Sequence, residues 1–554
     1  MKVGLFTVAL LASGQTAFAQ QVPSAGSQLQ QIPPMPVTPK KEPELVIETP
    51  PAPAAADPAS ARITVAALRV SGQTLFDEAT LIAASGFAPG QEMSLVDLRA
   101  AAARIAGYYK ARGYFLAQAY LPSQDVKSGS VTIAVIEGRY GAVAVTNHSR
   151  LHPGIAEGVL RGLDSGDVVA NAPLERRLLL LSDIPGVVAR GTLAPGSQVG
   201  TSDLTVDLTP GRSIDGSIEA DNAGNRYTGT YRGGGTINLN NAAGIGDMLS
   251  LRVLASTSGL AYGRVSYQAP VGNLTLGAAF AYFRYDLGRE FKQLDASGDA
   301  QIASVYASYP LIRSRRANLY ATGTVDAKWF DDRYDLVGTR SRKASQVGTI
   351  GLNGNSRDHL GGGGLNIFSI GASLGNLTLR SPLDRAVDAL TARSDGRFAR
   401  AQGAFARIQS VAGPLSLYGA VRGQVAFDNL DTSEKMELGG AYGVRAYPEG
   451  EAYGDTGYIA TGEVRLMVTD WARTFPGQVQ LFGFVDAGQV DYAHRPWFDG
   501  ANTATRSGFG GGVAWMTPGN FTLKGSYARK IGDTAATSAP DRDGRFWFQV
   551  SKLF

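Results

Sequence analysis

Asn318-Leu319-Tyr320-Ala321-Thr322-Gly323-Thr324-Val325-Asp326-Ala327-Lys328-Trp329 alternates without a break. Leu319, Ala321, Gly323, Val325, Ala327 and Trp329 share one face of an extended chain. Asn318, Tyr320, Thr322, Thr324, Asp326 and Lys328 share the other. Successive side chains of a strand point to opposite faces, so this segment has one apolar and one polar side. Working outward, the split returns in Leu415, Leu417, Gly419, Val421, Gly423, Val425 and Phe427, set against Ser416, Tyr418, Arg422 and Gln424. It returns again in Tyr458, Ala460, Gly462, Val464, Leu466 and Val468, opposite Thr461, Glu463 and Arg465. A soluble sandwich also alternates. Three further features select a barrel. The strands approach ten residues, which suits a tilted membrane crossing. Mid-strand charges keep to one face, as a wet lumen allows. Helical periodicity is absent from about residue 213 to Phe554, and roughly 20–22 residues per strand and connection give about 16 strands, an even number as bacterial barrels require.

Composition fits this reading. Charged residues make up 18% of the 554, against about 25% in ordinary soluble domains. Glycine is abundant, at 69 residues, and cysteine is absent. The missing cysteines exclude a disulfide scaffold, Cys-ligated metals, a thiol nucleophile and a lipidated N-terminus. A net charge of +4 is too mild to argue for nucleic acid. No apolar run is long enough for a spanning helix.

The N-terminal region divides further. Lys2, the apolar run Val3 to Ala12 and Ala17-Phe18-Ala19 read as a secretory signal peptide over residues 1–19. Residues 20–61 read as a proline-rich linker holding Pro33-Pro34, Pro50-Pro51 and Pro53, with Ser27 to Ile32 able to form one or two helical turns. Residues 62–140 predict an α/β module. Its strands are Ile63–Val70, Tyr114–Leu121 and Val131–Gly138, and its helix begins after the N-cap Ser94 with Leu95, Leu98, Ala102, Ile105 and Tyr109 at a 3.6 period. Residues 141–210 repeat the order, with strands at Ala142–Thr146, Val187–Leu193 and Leu204–Leu208 and helices near Ile155–Leu160 and Leu174–Leu181. The barrel occupies 211–554. Its last strand puts Phe546, Phe548, Val550 and Phe554 on one face and ends on an aromatic residue.

Four stretches carry a family resemblance. Tyr109-Lys110-Ala111-Arg112-Gly113-Tyr114, Leu121-Pro122-Ser123-Gln124 and Val131 to Gly138 form the first. Leu178 to Gly186 is the second, and Asp221-Asn222-Ala223-Gly224 the third. The fourth is Val444-Arg445-Ala446-Tyr447 with Phe484-Val485-Asp486-Ala487-Gly488. Together they resemble the TpsB two-partner secretion transporters, the ShlB/FhaC/HecB haemolysin secretion/activation family. The first two stretches resemble periplasmic POTRA domains. The third resembles the turn after the first barrel strand, with Asp221, Asn222 and Gly224 in structural roles and glycine supplying a positive φ. The fourth resembles a pore-loop motif and its barrel partner, with Ala446 where the family has glycine. Residues 428–455 form a long gap between two clear strands, and such gaps are usually functional. The alternation Val479, Leu481, Gly483, Val485 independently places Asp486 on the lumen face. Arg445 and Asp486 are therefore expected to pair and tie the loop inside the pore.

The resemblance implies a β fold, an antiparallel transmembrane barrel preceded by two POTRA domains, and export of a large unfolded TpsA-type partner of haemolysin or adhesin type. It implies an outer-membrane location and lipid contact, POTRA capture of substrate, and contact of the barrel-assembly machinery with the strand ending at Phe554. The helix near Gln28–Ile32 would plug the pore. A barrel-assembly component and a passive porin-like channel are the alternatives. No cofactor, metal or nucleic acid is expected. His148, His152, His359 and His494 form no ligand motif, and no nucleophile–base–orienter set is present, so no enzyme activity is expected.

Overall fold

The computed structural model describes residues 23–33, 43–48, 62–126, 129–468 and 476–554. The expected signal peptide 1–19, with its cleavage site after Ala19, and the prolines from Pro34 through Pro53 outside 43–48 lie outside the described residues.

Two small α/β modules precede the barrel. The first contains β2 (Ile63–Val65), β3 (Ala67–Ser71), α2 (Glu78–Ser85), β4 (Gln91–Met93), α3 (Leu95–Ala111), β5 (Gln118–Tyr120) and β6 (Ser130–Ile136). The expected α3 forms behind Ser94, whose hydroxyl and the Asp97 carboxylate make a capping box. Leu98, Ala102, Ile105 and Tyr109 are its buried face. The expected strand from Tyr114 shortens to β5, because Tyr114 closes the end of α3 through its amide on the Tyr109 carbonyl (3.1 Å). Helix α2 is capped by Asp77, whose carboxylate accepts from the Thr80 amide (2.6 Å). The second module contains β7 (Arg139–Asn147), α4 (Pro153–Leu160), α5 (Asn171–Asp183), β8 (Val187–Pro195) and β9 (Thr201–Pro210). Only Glu137 and Gly138 separate β6 from β7, so Arg139 and Tyr140 stand with the second module.

The linker contributes two elements. Helix α1 (Ala25–Gln30) lies inside the barrel, and β1 (Glu44–Ile47) joins the second module's sheet, in the order β1-β8-β9-β7. β1 runs parallel to β8, with Leu45 opposite Gly191.

Sixteen strands close the barrel. In chain order they are β10 (Ile214–Asp221), β11 (Arg232–Asn240), β12 (Met248–Ser256), β13 (Leu260–Val271), β14 (Leu274–Asp286), β15 (Ala296–Arg313), β16 (Ala317–Tyr334), β17 (Thr339–Asp358), β18 (Gly364–Leu379), β19 (Gly396–Ala412) and β20 (Leu415–Ala426). β21 (Met436–Glu437) and β22 (Tyr453–Gly454) form a separate hairpin that is not part of the barrel wall. β23 (Thr456–Val468), β24 (Gln478–Asp491), β25 (Thr503–Met516), β26 (Phe521–Lys530) and β27 (Gly544–Leu553) complete the wall. α6 (Pro382–Leu390) lies between β18 and β19. β10 and β27 pair antiparallel from Ser217↔Leu553 to Asp221↔Gln549, which removes the sheet edge.

The second module sits on the end where β10 begins. The Arg313 guanidinium donates to both oxygens of Asp183 on α5 (2.7 and 2.9 Å). Arg176 donates to the carbonyls of Pro310 (2.9 Å) and Leu311 (3.1 Å). The His152 amide donates to the Gly244 carbonyl (2.7 Å). The connection after β10, and every second one thereafter, therefore opens at the far end. Those connections include 380–395, 427–455, 492–502 and 531–543.

Candidate functional site

The lumen holds two inserts, the 427–455 loop and α1. The loop enters from the far end, and its tip reaches the wall formed by β23 to β27. Arg445 binds Asp486 on β24 through Nε (2.7 Å) and Nη2 (2.8 Å), a two-pronged pair. The Arg445 amide also donates to Asp486 (3.2 Å). Thr461 Oγ1 donates to the same carboxylate (2.9 Å). Arg445 is 7% exposed and Asp486 0%, so the pair lies inside the protein and not on a solvated outer loop.

The alternation missed a second carboxylate. Arg445 Nη1 donates to Glu463 on β23 at 2.8 Å, and Glu463 also accepts from Arg465 Nη2 (2.7 Å). The signal was available: Glu463 sits on the polar face of its strand and pairs in register with Phe484. Phe484 itself lies under the guanidinium, 3.4 Å from ring centroid to Cζ, a cation–π contact that closes the remaining face of the arginine. The Arg445 carbonyl accepts from Trp547 Nε1 on β27 (2.7 Å). One loop residue thus joins three wall strands.

The residues around Arg445 pack tightly. Val444 and Tyr447 are fully buried, and Ala446 nearly so. The Tyr447 hydroxyl donates to the Thr534 carbonyl (3.0 Å). Ala446 tolerates its methyl because Gly508 on β25 leaves the facing space empty; a Cβ at 508 would collide with the Ala446 methyl. Gly488 makes room for the loop's Leu438, whose Cδ1 lies 2.7 Å from where a Gly488 side chain would begin.

Further ion pairs hold the loop along its length. Glu451 accepts from Arg506 Nε (3.0 Å) and Nη2 (2.6 Å), and from the amides of Thr537 (2.8 Å) and Ser538 (2.9 Å). Lys328 binds Glu434 and Lys343 binds Asp431, both at 2.7 Å. Lys435 binds Asp455 at 2.7 Å. Glu451, Glu434 and Asp431 give no sequence signal for their pairs, because Arg506, Lys328 and Lys343 lie on strands distant in the chain, whereas Lys435 and Asp455 pair within the loop itself.

The first-strand turn does more than turn. Asp221 is buried and accepts from Arg232 Nε (2.9 Å) and Nη2 (3.2 Å). Asn222 bridges the closing seam: its side chain donates to the Phe546 carbonyl (2.8 Å) and accepts from the Phe548 amide (2.7 Å). Gly224 corrects the expectation of a positive φ. That conformation belongs to Gly229 (φ 111). Gly224 is needed because the Gly229 and Thr230 carbonyls press on it.

α1 is pinned by wall and loop together. Ser24 and Ser27 form its capping box. The Ala25 amide donates to Asp332 Oδ1 (2.8 Å), which also accepts from the Tyr285 hydroxyl (2.7 Å). Thr228 donates to Gln28 (2.8 Å), and Arg232 Nη1 to the Gln31 carbonyl (2.6 Å). From the loop side, the Thr432 carbonyl accepts from Gln30 (2.7 Å), and the Tyr453 hydroxyl accepts from Gln31 (2.7 Å). Gly26 faces Ser433 with no space for a side chain. A cavity of about 570 Å³ remains beside the inserts, lined in part by Gln31, Arg400, Arg422, Glu437, Tyr442 and Glu449.

Comparisons with known proteins agree with this architecture. The profile of the haemolysin secretion/activation protein family ShlB/FhaC/HecB matches residues 200–512. The profile of the ShlB-type POTRA domain matches residues 63–138. The heme/hemopexin transporter protein HuxB of Haemophilus influenzae (strain 86-028NP) is 25% identical over 477 residues, covering 84% of this chain and 82% of that protein. The outer membrane transporter CdiB of Dickeya dadantii (strain 3937) is 22% identical, over 74% of this chain and 72% of its own. Among solved structures, CdiB from Escherichia coli superposes with a TM-score of 0.69 at 19% identity, covering 91% of this chain and 93% of that one.

Proposed function

Since this chain belongs to the haemolysin secretion/activation family ShlB/FhaC/HecB and is an outer-membrane transporter of the two-partner class, with its N-terminal modules in the periplasm, we propose how its own residues perform export. The cargo is a large exoprotein that arrives unfolded. A strand of the cargo adds to a sheet edge of the periplasmic modules. At the second module that edge is β8, which β1 of the linker already covers, so capture there displaces β1. The cargo then threads the lumen, whose polar inner face accepts an extended backbone without exposing it to lipid.

The resting lumen is filled by α1 and the loop, which speaks against passive diffusion. The observation that carries the proposal is the Arg445–Asp486–Glu463 cluster. It fixes the loop to the wall at the point any polypeptide must pass. Val444, Arg445, Ala446 and Tyr447 act as the pore-loop tip, and Phe484, Asp486 and Gly488 as its seat. Haemolysin or adhesin is the cargo type the family resemblance supports; HuxB, by its name, carries a heme/hemopexin system.

Co-expression with the cognate exoprotein tests this. Arg445→Ala should abolish or sharply reduce secretion, while heat-modifiable migration shows the barrel still inserted. Normal secretion by that variant would sink the loop's role.

A further inference from the structure

The outer surface of β17, β18 and β19 carries positive charge that transport does not use. On β17, Lys343, Ser345 and Val347 are buried on the lumen side, so Arg342, Gln346 and Ile350 face outward. On β18, buried Leu377 and Leu379 likewise turn Leu374, Asn376 and the following Arg380 outward. On β19, buried Phe398 turns Arg397 outward. Arg342, Arg380 and Arg397 are all exposed.

The register gathers them. The Arg380 amide donates to the Arg342 carbonyl (2.8 Å), so two arginines stand side by side on neighbouring strands. Arg397 pairs with Asn376, and Asn376 with Gln346, which places the third arginine four residues, about 13 Å of strand, nearer mid-barrel than the Arg342–Arg380 pair. Like charges across an antiparallel pair repel. Elsewhere on the same rim the repulsion is answered: Arg333 binds Asp299 (3.0 Å) and Arg340 binds Asp331 (2.7 Å). Among the described residues, no carboxylate pairs with Arg342, Arg380 or Arg397. Two nearby acids serve the backbone. Asp388 accepts from the Ser394 and Asp395 amides, both at 2.9 Å, and Asp395 accepts from the Leu379 amide (2.9 Å).

Toward mid-barrel the outward surface becomes apolar. Ile350, Ile370 and Leu374 are among the most exposed side chains of the wall, at 72%, 62% and 71%. They form a lipid-facing belt on the mid-barrel side of the arginines, with Leu374 two residues from Asn376, the register partner of Arg397. Directly after Arg380, α6 adds a row of Leu383, Val387 and Leu390, all exposed, at the spacing of one helix face. The flank thus joins unneutralised guanidinium groups to an acyl-chain surface at the outer end of the barrel.

We propose that this flank binds the phosphorylated headgroup of an outer-leaflet glycolipid. One phosphate lies on the Arg342–Arg380 pair and a second on Arg397, and the acyl chains lie on Leu374, Ile350 and Ile370. Guanidinium groups grip phosphate through paired N–H donors, and basic residues beside a membrane-embedded surface select anionic lipids. The barrel is thereby oriented and steadied at the strands whose outer loop leads into α6.

The test uses the full-length protein in detergent micelles, titrated with bisphosphorylated lipid A, with the same lipid lacking phosphate, and with inorganic phosphate. Native mass spectrometry reads the bound lipid. The wild type should bind lipid A. Combined Arg342→Gln, Arg380→Gln and Arg397→Gln should weaken it about a hundredfold. Arg529→Gln, an exposed arginine of β26, should leave it unchanged. Should the triple variant fail to insert, each single substitution is read in its place, with about a fivefold loss expected. Unchanged affinity in the folded variants overturns the proposal. So does equal binding of the phosphate-free lipid, and so does displacement of lipid A by millimolar inorganic phosphate, which would mark a site for a free anion.

Discussion

Arg445 shows what a single residue can carry and how much of it could be read in advance. Its pairing with Asp486 was legible because alternation fixed the side of β24 on which Asp486 stands, and a motif resemblance supplied the partner. Glu463 was not legible as a third member, since nothing in a linear alternation says which lumen residues a folded-back loop will reach. The difference alters a test. In an Arg445→Asp, Asp486→Arg exchange, the new aspartate would stand beside Glu463, which is itself buried. Glu463 keeps Arg465 but loses the Arg445 guanidinium and gains a like charge beside it, and breaking one side of a buried ion pair costs up to roughly 3–5 kcal/mol. The exchange alone is therefore expected to leave secretion impaired. Adding Glu463→Gln should recover part of it, measured as exoprotein in the culture supernatant; equal secretion with and without that addition would remove Glu463 from the cluster. Ala446 was read as a loss of close approach. The structure answers it at Gly508, which was invisible because it lies on another strand. Gly508→Ala should press the loop off its seat and increase protease cleavage within residues 439–454, with no change in barrel insertion.

At the scale of elements, α3 and the barrel strands were legible because their periods are long and regular. α1 was legible only as one or two turns over Ser27–Ile32, against Ala25–Gln30 in the structure, and β1 was not legible. A helix of six residues has no stability of its own and exists because wall and loop satisfy its ends. β1 has four residues in a proline-rich stretch and exists because β8 offers an open edge. Glu137 illustrates an element held by one buried side chain. Its carboxylate accepts from the Thr74 amide (2.6 Å), the Leu75 amide (2.8 Å), the Tyr109 hydroxyl (3.0 Å) and Arg139 Nη2 (3.2 Å), so it joins the β3–α2 turn, α3 and the start of the second module. Burial raises its pKa, but the hydrogen bonds from Thr74, Leu75 and Tyr109 outweigh burial and hold it below the usual carboxylate value. The sign follows: a lowered folded pKa contributes stability above the unfolded value, and that stability is lost as pH falls through the folded one. Glu137→Gln should destabilise the first module by about 2 kcal/mol at neutral pH. As pH falls through that lowered folded value, the wild type and variant should converge. Chemical denaturation of the full-length protein, followed by cleavage within residues 62–136, checks both. A constant difference across that range would remove the ionised carboxylate from the account.

At the scale of the whole molecule, the barrel is a closed wall whose conductance is decided by what stands inside it. Neither insert is held by the wall alone. α1 takes hydrogen bonds from Thr228 and Arg232 on the wall side and gives them to Thr432 and Tyr453 on the loop side. The loop is held by α1 at one end and by the Arg445 and Glu451 clusters at the other. Groups that share contacts do not act additively. In planar bilayers the wild type should therefore conduct little, and deletion of residues 23–31 should raise conductance, since it removes one insert and the loop's contacts with it. Arg445→Ala should raise it less, because α1 still supports the loop through Thr432, Ser433 and Tyr453. The double variant should exceed the sum of the two single effects, as the loop then loses both supports. Strict additivity would mean that α1 and the loop occupy the lumen independently. A double variant no more conductive than the deletion alone would mean that Arg445 bears on cargo passage and not on the resting pore, and its secretion defect would then have to arise after the pore has opened.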